Sequence, residues 1–159
     1  MKIAHCYRNR TLAAMILSLS FLVSLFCSQT MAAINGHYKG QGSGKFSSGW
    51  HGSCYFDAEM RLTTSEFQVI RGQNLCGQKT VKWPEKIFHI SGNDLMDKNG
   101  VAVGTILSDS ITVQLTDAGE ANVSVVHLKK MPVGDQITVQ YDEITSSGRN
   151  TFFGFLKIF

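Results

Sequence analysis

The chain has 159 residues, 43% of them hydrophobic, and a formal net charge of +3. Lys2, Arg8 and Arg10 account for that excess, so from Ala33 onward 12 basic residues face 12 acidic ones. A neutral domain with no run of like charge longer than Lys129-Lys130 excludes nucleic-acid binding driven by a basic surface.

The first element is a leader. Its cations precede the apolar run "LAAMILSLSFLVSLF" from Leu12 to Phe26. That run is about 15 residues, enough for a signal peptide and short of the roughly 18 to 20 that span a bilayer. Thr30 and Ala32 sit at the small-residue positions of a cleavage site, so residues 1–32 are expected to leave, with Ala33 as the alternative last residue. Phe26 before Cys27 is too bulky for a lipid-attachment site. The reading is an exported protein, periplasmic or extracellular. Its mature chain, 33–159, is one domain without a transmembrane helix. Cys6 and Cys27 depart with the leader, and the remaining pair, Cys54 and Cys76, is expected to form a disulfide in an oxidising compartment.

Period-two alternation dominates the mature chain. "WHGSCYFDAEMRL" places Trp50, Cys54, Phe56, Met60 and Leu62 on one face and charged or polar residues on the other. "SITVQLT" and "QITVQYDE" repeat the pattern through Ile111, Val113 and Leu115 and through Ile137, Val139 and Tyr141. Such alternation predicts half-buried antiparallel strands. Strands are expected near 36–46, 50–62, 66–72, 79–90, 100–107, 110–116, 121–130 and 136–145, with 150–158 closing the series. A short helix is expected near Gln73 to Gly77. Turns at "GND", "DKNG", "SDS", "DAGE", "PVGD" and "SSGR" separate these runs. The predicted fold is all-β, a single antiparallel up-and-down β-barrel of about eight strands, with a β-sandwich as the alternative.

The stretch "GHYKGQGSGK" from Gly36 to Lys45 has glycines and a lysine, but not as a phosphate loop. Lys39 stands where such a loop has its first glycine, and Phe46 where it has Ser or Thr. Glycines at 36, 40, 42 and 44 share one side of an extended chain, which can then bend sharply or admit another strand closely.

The G-x-Y-x-G opening (Gly36, Tyr38, Gly40), the leader, one disulfide and the meander resemble the calycins, the superfamily of lipocalin-like β-barrels. Cys54, Cys76, Trp83 and "DKNGVAVG" also occur in the order found in periplasmic inhibitors of secreted metalloproteases, barrels of the same kind. The first resemblance implies a small apolar ligand. The second implies a secreted hydrolase as partner, engaged by the residues before Gly36, namely Ala33, Ile34 and Asn35.

Signals for catalysis are thin. His37, His51, His89 and His127 have no carboxylate spaced to orient them on their own strand, and no G-x-S-x-G elbow occurs. Asp97-x-Asn99-Gly100 matches part of a calcium loop, but its missing partners favour a hairpin turn. Asp142 and Glu143 point to opposite faces of a strand. No enzyme activity, cofactor or metal is expected. An interior ligand would meet Trp50, Phe56, Met60, Phe88 and Tyr141, although an eight-stranded barrel can equally fill with its own side chains. A third reading is a small outer-membrane barrel, suggested by the terminal aromatic Phe159 and opposed by Lys157 within "TFFGFLKIF".

Overall fold

The computed structural model describes residues 34–116, 121–132 and 134–159. The leader, its cleavage point at Ala32 and the partner candidate Ala33 lie outside them. The described residues form eleven strands and no α-helix. These are β1 (Gly36–Lys45), β2 (His51–Leu62), β3 (Glu66–Cys76), β4 (Lys79–Trp83), β5 (Lys86–Ser91), β6 (Asp94–Met96), β7 (Ala102–Ile106), β8 (Ser110–Gln114), β9 (Val123–Lys130), β10 (Gln136–Thr145) and β11 (Gly148–Ile158).

All pairings are antiparallel within one sheet of order β2-β1-β11-β10-β9-β8-β7-β6-β5-β3-β4. Because β2 also pairs with β3, the hydrogen bonding returns on itself as a ring, and among the described residues β4 hangs from β3 alone.

Eleven strands replace the eight or nine expected, two of them from local features the pattern conceals, and β3 is also longer than expected. The expected strand over 79–90 is two, with β4 on Gly72–Cys76 and β5 on Glu66–Val69 of the same neighbour. Pro84, which has no N–H to donate, marks the break. The expected helix near Gln73 to Gly77 is instead the second half of β3. A bulge hides this, since Glu59 faces Arg71 while Met60 faces Val69, leaving Ile70 as an extra residue that resets the alternation. Finally, β6 has three residues, too few for a period of two to be legible.

Inward residues alternate as expected on β2, β8 and β10, and β9 follows the same pattern. A continuous row of aromatic rings runs through the interior. Trp50 meets Phe46 at 5.2 Å, Phe46 meets Phe152 at 5.2 Å, Phe152 meets Tyr141 at 5.9 Å, and Tyr141 stacks on Trp83 at 5.5 Å with the planes 4° apart. Trp83 and Tyr141 lie on strands that do not pair, so this stack crosses the ring and fills it there with side chains.

The glycines of β1 are packing devices. A Cβ on Gly40 or Gly42 would lie 1.9 Å from the carbonyl oxygen of Phe155 or Phe153. A Cβ on Gly44 would lie 2.6 Å from Cys54 Sγ. β1 therefore approaches its neighbours more closely than any side chain allows.

Cys54 and Cys76 are joined, directly opposite each other on β2 and β3. Replacing both by alanine is expected to lower stability by about 3 kcal/mol in the chain-entropy model. The check is a lower urea midpoint, compared with the parent by circular dichroism.

Candidate functional site

β6 and β7 are short, and their ladders stop early. β5 pairs with β6 only from His89 to Ser91, and β7 pairs with β8 only from Gly104 to Ile106. Between them the chain turns at Asp97–Gly100, where Asp97 Oδ1 accepts hydrogen bonds from the N–H groups of Asn99 (2.8 Å) and Val101 (2.9 Å). Gly100, at φ +75°, supplies the left-handed residue that this turn needs. The Val101 N–H, ahead of the bonds from Asn99, holds the Asp97 carboxyl below its ordinary range. The calcium-loop fragment is a hairpin turn, as its sequence predicts.

The tip of this hairpin stands apart from β5 on one side and β8 on the other, leaving a half-open cavity of about 740 Å³. Val69, Ile70, Ile87, Phe88, Val103 and Leu115 supply its apolar lining. Gln68, Glu85, Lys86, Lys98 and Asn99 supply polar groups at its margin. Val101 also lines it and, like Ile87, is 56% exposed.

Of the interior residues singled out in the sequence, only Phe88 lines this cavity. Phe56, Met60 and Tyr141 are buried in the packed core, and the Tyr141 hydroxyl donates to Ser124 Oγ at 2.9 Å. Trp50 is half-buried at the end of the aromatic row. Ile34 is 3% exposed, and Asn35 Oδ1 accepts the Leu62 N–H, so these two are tied into the fold. Sequence reasoning missed Ile70, Ile87, Val101 and Val103. Their signal was apolar residues out of phase with the alternation, in "QVIRG", "KIFHI" and "GVAVG".

Histidine partners come from neighbouring strands, which spacing along one strand could not reveal. His37 Nε2 lies 2.6 Å from Asp57 Oδ1, and His89 Nδ1 lies 3.5 Å from Glu66. Arg71 donates to Glu59 at 2.9 Å and lies 3.3 Å from His37 Nε2, making a charged cluster across β1, β2 and β3. A second network surrounds Asp142. Burial would raise its carboxyl, but hydrogen bonds from Arg149, Thr151 and Gln140 outweigh burial and hold it below the ordinary range. Among the described residues, no group of three or more His, Cys, Asp or Glu is placed to hold a metal ion.

No family model matches the chain, and a search of curated proteins finds no match.

Proposed function

We propose that the domain is an exported, small antiparallel β-barrel of calycin type that binds an apolar ligand and performs no catalysis. The observation that carries this reading is the cavity of about 740 Å³ under the β6–β7 hairpin, lined by aliphatic side chains and Phe88. Such a volume falls in the range of small-molecule sites, and an apolar lining with a few polar groups at the margin suits a ligand with one wet end. The disulfide and the leader favour the exported setting.

The outward faces of the long strands support a water-facing rather than a lipid-facing wall. Those of β1, β2 and β10 carry His37, Lys39, Asp57, Glu59, Arg61, Thr138 and Gln140, whereas a membrane barrel turns mostly apolar residues outward, as β11 does here with Phe153 and Phe155. The inhibitor reading is the weaker one, because Ile34 is packed away and Asn35 is engaged with β2.

The test is titration with the apolar fluorophore 8-anilinonaphthalene-1-sulfonate, beside native mass spectrometry of the protein as purified. The folded protein is expected to enhance the fluorophore's emission saturably. Val103→Glu is expected to weaken that binding about tenfold, by placing a charge against the apolar lining. Tyr55→Glu, on the outer face, is expected to leave it unchanged. A folded protein that neither enhances emission nor retains a co-purifying molecule would sink the reading.

A further inference from the structure

Among the described residues β4 is bonded to β3 alone, so one of its edges is left unpaired by them. The direction of its backbone groups follows from the turn that precedes it. Cys76 and Lys79 flank a two-residue hairpin loop with Gly77 at φ +62°, and flanking residues in such loops exchange both backbone bonds. Gly72, Asn74 and Cys76 therefore bond to Trp83, Val81 and Lys79, while Thr80 and Lys82 turn their N–H and C=O groups away. On β5 the Ile90 N–H donates to Ser65, so Phe88 also bonds toward β3 and Ile87 points outward. The β5–β6 ladder has already ended at His89, so Ile87 presents its backbone to the cavity that it lines.

We propose that this edge, from Thr80 through Lys82 to Ile87, takes an extended peptide by strand addition, and that the peptide's side chains alternate apolar and acidic. The proposal rests on the cavity reading above, since the apolar side chains of the added strand are what enter the cavity. A bound strand satisfies N–H and C=O groups together, which a lipid tail does not. The alternation follows from the pleat. Partner residues on the inner side of the sheet share the face of Val81 and Phe88, and those on the outer side share the face of Thr80 and Lys82.

Charge selects the partner. Lys82 is exposed beside the edge, and Lys98 stands at the cavity margin. Against Lys82, Lys86 and Lys98 stand two carboxylates, Glu85 and Asp97, so edge and cavity together keep a positive excess. Edge lysines and Pro84 discourage apolar strands from adding, and the same lysines attract acidic ones.

The experiment compares two seven-residue peptides, acetyl-(Val-Glu)3-Val-amide and acetyl-(Val-Lys)3-Val-amide, by titration and by amide hydrogen exchange of the whole protein. The acidic peptide is expected to bind and to slow exchange at Thr80, Lys82 and Ile87, while the basic one does neither. Lys82→Glu is expected to lower the affinity about tenfold. Thr80→Pro removes an edge donor at a position where proline is tolerated, and is expected to abolish peptide binding while fluorophore binding persists. Fluorophore binding without peptide binding, or peptide protection at other amides, overturns the strand proposal and leaves the cavity reading standing. Protection of Thr80 and Lys82 without fluorophore binding supports the edge and overturns the cavity reading. Loss of both in a folded protein overturns both.

Discussion

Gly42→Ala is expected to lower folding stability by about 3 kcal/mol or more, enough to unfold much of a marginally stable domain. The new methyl carbon would lie 1.9 Å from the Phe153 carbonyl oxygen and 2.5 Å from the Gly154 Cα, both backbone atoms of β11. Neither can rotate aside, so relief requires β1 and β11 to part, which breaks the ladder from Tyr38 to Lys45 that joins them. Gly52→Ala is the matched control. Its Cβ would meet the Trp50 ring at 2.8 Å, the end of a half-buried side chain that can shift. Urea unfolding of both variants decides the matter, and equal midpoints would show that β1 and β11 are more pliable than their contacts imply.

Trp83→Ala is expected to lower stability by about 4 kcal/mol, at the upper end for a buried aromatic. Trp83 packs over Gly72, stacks on Tyr141 and donates its Nε1 hydrogen to Asn74 Oδ1 at 3.1 Å. Asn74 is fully buried, and its Nδ2 has no hydrogen-bond partner among the described residues, so losing the tryptophan would leave its oxygen without that bond as well. Trp83→Phe separates these contributions. It keeps a ring against Tyr141 and is expected to lower stability by about 2 kcal/mol, through the orphaned amide. Adding Asn74→Leu to Trp83→Phe removes the stranded polar group and is expected to recover most of that loss. Thermal melts of the three variants beside the parent test the set. A phenylalanine variant as stable as the parent would assign the effect to packing alone.

Much of this architecture was legible because a half-buried strand repeats every second residue. Phe56, Met60, Val113, Val139 and Tyr141 are inward for that reason, and Cys54 meets Cys76 because both stand on inward positions of paired strands. The reading faltered where one residue broke the phase. The bulge at Ile70 made the rest of β3 look like the end of a strand, and Pro84 divided what looked continuous. The candidate site was the least legible part. A cavity forms where ladders stop, and where β6 leaves β5 or β7 leaves β8 depends on register across the sheet. Inward alternation points to Phe56 and Met60, which the core buries, whereas Ile87 and Val103 line the cavity and are marked in the sequence only by falling out of phase.

The pairing of β1 with β11 joins Tyr38 to Ile158, nearly the two ends of the described chain. Closing the ring thus requires β11 to be available before β1 gains its second neighbour. Contacts of such long sequence separation make folding slow relative to helical domains of similar size. Among the described residues β1 has only β2 beside it until β11 pairs, so anything that withholds β11 holds the whole ring open.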